Sequence, residues 1–130
     1  MKPGDYIFVY GSLRRSEAAD LSLRPGCTFV GEDSVPGKLY AVGWYPGVKE
    51  LGQVFSSVKG DVFRFERSDE ASALINWLDG YEGYPSLFGR RQCITEHGYN
   101  AWVYTYNHEV SEAARVHDGD WCLRIQQGVN

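Results

Sequence analysis

The chain has 130 residues, 43% of them hydrophobic and 23% charged, which describes one ordinary globular domain that buries about two thirds of its unfolded surface. A net charge of −4 with scattered Lys and Arg argues against an electrostatic grip on nucleic acid or on an anionic membrane. No apolar run approaches the ~20 residues that a membrane helix needs, and Met1-Lys2-Pro3-Gly4-Asp5 enters a strand-like run without a signal-cleavage pattern.

Three cysteines, Cys27, Cys93 and Cys122, are odd in number and widely spaced. They read as reduced thiols, which points to a cytoplasmic protein. Glycine, at 15 residues, exceeds its usual share of ~7%, and aromatics reach 15%. Many tight turns between short aromatic strands account for both, so β-structure is expected to dominate.

In chain order, Tyr6-Ile7-Phe8-Val9-Tyr10 is a β-branched and aromatic run stopped by Gly11-Ser12, the pattern of a buried first strand. Arg14 to Leu23 is a weak helix candidate that Pro25-Gly26 must end. Cys27-Thr28-Phe29-Val30 and Lys38-Leu39-Tyr40-Ala41-Val42 read as strands, the second leading to a turn at Gly43-Trp44-Tyr45-Pro46-Gly47. Asp61 to Glu66 alternates apolar and charged side chains as a strand does. The clearest helix spans Asp69 to Asp79. Ser68 suits the N-cap and Gly80 the C-terminal stop, and Ala71, Leu74, Ile75 and Leu78 form one apolar stripe. Arg90 to Glu96 and Ala101 to Tyr106 are expected to pair through a hairpin at His97-Gly98-Tyr99-Asn100, and Glu109 to Val116 is read as a short helix.

Two places carry chemistry. Val9-Tyr10-Gly11-Ser12-Leu13 turns sharply after a strand, so successive backbone N–H groups can form a small concavity that binds carboxylates, phosphates or oxyanions. Taken locally, an ordinary Gly-Ser turn explains the same residues. Glu82 stands in Asp79-Gly80-Tyr81-Glu82-Gly83-Tyr84-Pro85, just past the expected helix end, and partial desolvation there would raise its pKa into the range of a usable base. Asp79, at the helix end, is read as structural or solvent-facing. Ser12 lacks a nucleophile elbow. His97, His108 and His117 are widely separated. Cys93 and His97 lack the second ligand pair of a zinc site, and Asp118-Gly119-Asp120 is too short for a calcium loop, so no metal is expected. Trp44, Tyr45, Trp102, Tyr104 and Tyr106 read as core in the absence of a basic groove.

In order along the chain, Tyr6-Ile-Phe-Val-Tyr-Gly-Ser-Leu13, Val35-Pro-Gly-Lys-Leu-Tyr40, Tyr45-Pro46-Gly47, Leu78-Asp-Gly-Tyr-Glu-Gly-Tyr84, Arg90-Arg91, Ala101-Trp-Val-Tyr104 and Gly119-Asp-Trp121 resemble the γ-glutamylcyclotransferase-like family, in its small bacterial-type and AIG2-like members. The resemblance implies an α+β fold over residues 1–130, a single-domain small mixed β-barrel with flanking helices. It also implies an enzyme that cyclises a small γ-glutamyl amine or amino acid to 5-oxoproline with release of the amine. Glu82 then matches the family's catalytic glutamate, and Tyr10, Gly11, Ser12 and Leu13 hold the substrate through main-chain groups. Arg91 and Tyr104 take supporting places, and Phe88 stands where relatives often carry tyrosine. No cofactor or metal is implied. The expected partner is the γ-glutamyl substrate, with no nucleic acid or membrane, in a monomer or homodimer, and loops 43 to 55 and 84 to 90 are expected to meet the leaving group. The alternatives are a non-catalytic module that binds a small carboxylate in the same cavity, and a γ-glutamyl acyltransferase or amidohydrolase.

Overall fold

Tyr6–Val9 (β1) is apolar at every position because both of its faces are covered. Ile7 and Val9 pack against one hydrophobic cluster, while Phe8 and Tyr10 belong to another on the opposite face. A computed structural model describes residues 1–122 and arranges them around this strand.

Cys27–Pro36 (β2), Lys38–Ala41 (β3), Pro46–Lys49 (β4) and Ser57–Phe65 (β5) follow β1. The helix Asp69–Glu82 (α1) precedes Phe88–Ile94 (β6) and Asn100–Tyr106 (β7). Five strands form a mixed sheet in the order β2-β5-β1-β7-β6, with β1 and β7 parallel and the other neighbours antiparallel. The β3–β4 hairpin forms a separate two-stranded sheet.

Helix α1 packs Ala71, Leu74, Ile75 and Leu78 on the Ile7/Val9 face. Leu39 and Val48 of the hairpin, with Val116 and Trp121 of the C-terminal segment, cover the Phe8/Tyr10 face. The result is an α+β arrangement in which α1 is the one named α-helix among the described residues, and none of their helices is long and apolar enough to cross a membrane.

The expected barrel does not close. Strands β2 and β6 stay unpaired with each other at the two edges of the sheet, and β3–β4 pairs with itself instead of continuing the ladder. Two of the expected flanking helices do not form among the described residues. Arg14 to Leu23 is a run of turns ending in a 3-10 turn at Leu21–Leu23, because the Asp20 carboxylate accepts from the Ser16 and Ser22 N–H groups and holds a local turn instead. Glu109 to Val116 likewise yields only a 3-10 turn at Glu112–Ala114.

Helix α1 begins as its sequence dictates, with the Ser68 hydroxyl accepting from the Ala71 N–H at 3.2 Å. Its end moves. Gly80 lies inside the helix with nothing within 4 Å of where a Cβ would be, and Gly83 at φ 66° is the left-handed cap. Glu82 is therefore the last helical residue, not a residue of a free connection.

Candidate active site

The loop after β1 and the end of α1 border one cavity of about 230 Å³. The loop contributes Tyr10, Gly11, Ser12 and Leu13, and the helix contributes Tyr81 and Glu82. Trp44, Tyr45 and Pro46 close one side from the β3–β4 tip, with Leu87, Phe88 and Tyr104 lining the rest from β6, β7 and the segment before them. Close approach of the hairpin explains Gly11, since a Cβ there would stand 2.9 Å from Pro46 Cγ.

The loop is held so that its donors stay open. The carbonyls of Gly11, Ser12 and Leu13 accept from the N–H groups of Arg14, Ala19 and Leu21 at 3.1, 2.8 and 3.1 Å. Among the described residues, the N–H groups of Gly11, Ser12 and Leu13 have no acceptor. Buried Asp61 anchors the far end of the loop, accepting the Arg15 N–H at 2.8 Å and pairing with Arg14 at 3.3 Å. The Ser12 and Tyr81 hydroxyls, 2.8 Å apart, tie the loop to α1. The residues that carry these three N–H groups line the cavity, and successive backbone donors without a protein partner can form an anion-binding concavity.

Among the described residues, Glu82 is the one charged side chain that lines the cavity. Among the described residues its carboxyl has no hydrogen-bond or ion-pair partner. Burial among apolar side chains therefore acts alone and pushes its pKa up to about 7. The carboxylate is felt by its neighbours. Tyr10 is raised well above the usual phenol range, chiefly by burial and then by the Glu82 charge. Tyr104 is raised too, by burial first, then by its bond to Asp79, and also by Glu82.

The tyrosine hydroxyls have structural duties. Tyr10 Oη donates to the Tyr104 carbonyl at 2.8 Å and receives the Val48 N–H at 3.3 Å, which ties β1 to β7 and β4. Tyr104 Oη donates to Asp79 Oδ1 at 2.7 Å. Asp79 also accepts two bonds from Arg90, at 3.0 and 3.1 Å. Burial raises the Asp79 carboxyl, but the bonds from Arg90 and Tyr104 outweigh it and hold its pKa below the usual value. Asp79 is thus structural, as its position at the helix end suggested.

The structure brings Tyr10, Gly11, Ser12, Leu13, Tyr104 and Glu82 to one cavity and leaves Arg91 outside it. Arg91 is exposed and stands opposite Val103 in the β6–β7 ladder, whereas Arg90 stands opposite Tyr104. Successive strand residues face opposite sides, so only Arg90 meets the helix side. Its guanidinium also lies over the Tyr84 ring, 4.2 Å from the centroid. Neither arginine lines the cavity, and the strand register, which composition does not reveal, is what separates Arg90 on the helix side from Arg91 on the other face. Of the loops expected to meet the leaving group, residues 44–46 and 87–88 line the cavity. Phe88 packs against Tyr45 and Tyr106 with ring centroids 6.1 and 5.4 Å away, an apolar wall in which a hydroxyl is not required.

A family model described as gamma-glutamyl cyclotransferase, AIG2-like, matches residues 7–123. A gamma-glutamylcyclotransferase family protein of Citrobacter rodentium is 30% identical over 121 residues, spanning 92% of this chain and 97% of that protein. One of Escherichia coli strain K12 is 29% identical over 119 residues, spanning 91% and 96%. The fold recurs in the crystal structure of an AIG2-like protein from Mus musculus, at 21% identity and a TM-score of 0.68 over 92% of this chain and 88% of that one. It recurs also in a protein from Pyrococcus horikoshii, at 24% identity and a TM-score of 0.67 over 95% and 96%.

Proposed function

This chain belongs to the gamma-glutamyl cyclotransferase, AIG2-like family, and we propose that it converts a small γ-glutamyl amine or amino acid to 5-oxoproline and a free amine, with Glu82 as the proton carrier. One observation carries the reading. A lone carboxylate whose pKa is pushed up to about 7 shares a cavity with three unpaired backbone N–H donors.

The chemistry requires both parts. The α-amine of the substrate is an ammonium ion in water and is not a nucleophile until it loses a proton. Glu82, ionised above about pH 7, accepts that proton. The freed nitrogen lone pair then attacks the γ-carbonyl carbon of the same molecule and forms the C–N bond of the five-membered ring. The carbonyl π electrons become an oxyanion. As that intermediate collapses, the bond to the leaving nitrogen breaks, and Glu82 returns the proton to this nitrogen. The ring nitrogen still carries two hydrogens after the attack and gives the second to the regenerated carboxylate, from which the released amine takes it up as an ammonium ion. In all, the α-nitrogen loses two protons and the departing amine gains two.

Nucleophile and electrophile are on one molecule, so the protein contributes mainly by holding it folded. The N–H groups of Gly11, Ser12 and Leu13 suit the negative oxygens of such a substrate. A volume of about 230 Å³, below the ~300–1,000 Å³ of drug-sized pockets, suits a metabolite fragment. The apolar wall keeps Glu82 desolvated, which tunes its basicity toward neutrality.

The test is mass-spectrometric detection of 5-oxoproline from a panel of γ-glutamyl compounds, with wild type and Glu82→Gln compared side by side. Wild type is expected to form 5-oxoproline, and the variant to lose about 100-fold or more in rate. Equal turnover by a correctly folded variant would remove Glu82 from the mechanism. Free glutamate as product would replace cyclisation by hydrolysis, and tight binding without any product would make the cavity a binding site only.

A further inference from the structure

Away from the cavity, the two edges of the open sheet meet at one point. The turn between β6 and β7 folds back on β2, with the Glu96 N–H donating to the Ser34 carbonyl at 2.9 Å. The His97 N–H donates to Asp33 Oδ1 at 3.1 Å, and the Ser34 hydroxyl donates to Glu96 Oε2 at 2.7 Å. This docking gathers a carboxylate oxygen of Asp33, a carboxylate oxygen of Glu96 and a ring nitrogen of His97 within 4.8 Å of one another.

One atom of the group points to a ligand. The Asp33 side chain is only 1% exposed. Its Oδ1 accepts from the Ser34 and His97 N–H groups, but its Oδ2 is buried without a hydrogen bond among the described residues. A buried carboxylate oxygen left in that state is unfavourable unless a cation meets it. Oδ2 faces His97 Nδ1 at 3.7 Å, too far for a hydrogen bond. The separation is close to the ~3.4 Å between two ligands that share one tetrahedral ion through bonds of ~2.1 Å. Glu96 and His97 are exposed, so small side-chain rotations can close the remaining distance, with Glu96 Oε1 available while Oε2 keeps the Ser34 hydroxyl.

We propose that Asp33, Glu96 and His97 bind a divalent cation of the zinc class, which staples the β6–β7 turn to edge strand β2. The donor set decides the class. One imidazole nitrogen with carboxylate oxygens suits Zn²⁺, whereas Mg²⁺ and Ca²⁺ favour oxygen-only shells. Water completes the coordination. None of the three residues lines the cavity, so the cation has a structural role, binding the two unpaired edges that a closed ladder would have joined.

The experiment uses the full chain stripped with a chelator and titrated with ZnCl₂, by calorimetry and by thermal unfolding. One ion per chain is expected, and at ~100 times Kd the midpoint should rise by roughly 5–15 °C, with little response to Mg²⁺ or Ca²⁺. Glu96→Gln and His97→Gln, both on exposed side chains, should each weaken Zn²⁺ by about tenfold or more, while His108→Gln leaves it unchanged. No saturable binding by wild type would overturn the proposal and leave a plain Asp33–His97 ion pair. Identical isotherms for wild type and His97→Gln would overturn it equally, by placing the ion elsewhere.

Discussion

Asp79 and Glu82 sit three residues apart in the last turn of one helix, and their carboxyls move in opposite directions. Both occupy the end of α1 where the helix dipole disfavours an anion, and both lose solvent there. Asp79 faces β6 and β7, where Arg90 and Tyr104 supply three hydrogen bonds between them and keep it ionised. Glu82 lines the cavity and, among the described residues, has no hydrogen-bond or ion-pair partner there, so burial raises it to about 7. The helix places both; the neighbours decide which is held ionised as a strut and which is raised toward neutrality. Two carboxylates whose environments push them apart are the pattern expected where one acts and the other positions.

The contrast breaks most decisively at Glu82. If Glu82 is the proposed base, wild-type kcat/KM should rise with pH through about 7, and Glu82→Gln should erase that rise along with turnover. Stability should respond with the opposite sign. A carboxyl whose folded pKa lies above its unfolded value holds its proton more tightly in the native state. It therefore costs the wild type stability as pH rises from about 4.5 to about 7. Glu82→Gln should flatten that part of the unfolding profile, and an unchanged slope in chemical denaturation would refute the desolvation account.

Asp79→Asn tests the other side of the pair. Removing the charge that holds Arg90 and Tyr104 should cost about 1–3 kcal/mol in urea unfolding at neutral pH. Asp79 has a lowered folded pKa, so its contribution is complete above the ordinary carboxylate value of 3.8 and fades as pH falls through the folded one. Wild type and variant should converge in strong acid. Tyr104→Phe removes one charge-assisted bond to Asp79 and should cost about 1 kcal/mol by the same measurement. The smallest effect is expected from Arg91→Ala, within about 0.5 kcal/mol and with 5-oxoproline formation near wild type. Arg91 is exposed and lies outside the cavity lining. A large loss there would mean that the exposed face of β6 reaches the substrate after all.

Local signals carried the elements well. Ser68 and the stripe Ala71, Leu74, Ile75, Leu78 specify where α1 starts and which face it buries, because capping and periodicity are properties of neighbouring residues. The run Tyr6 to Val9 announces a strand covered on both faces. Local signals failed where two stops competed. Gly80 and Gly83 both end helices in principle, and only the tight turn to Leu87, whose N–H donates to the Gly83 carbonyl at 2.8 Å, selects the second. Arg90 and Arg91 are indistinguishable in composition, and the ladder to β7 separates them.

The residues that could act were legible from the chain itself. Glu82 among turn formers, and Tyr10 to Leu13 at the end of a buried strand, are recognisable by residue type and by their order among the other family motifs. That the two meet was not. They are about 70 positions apart along the chain, and their shared cavity depends on α1 packing over β1 and on Pro46 reaching across Gly11. The strands were predictable too, but closure was not, since an alternating pattern states which face is buried and not which edge finds a partner. The shift of Glu82 toward neutrality belongs to the same class. A carboxylate acquires its basicity from what surrounds it, and those surroundings come from five separate stretches of the chain.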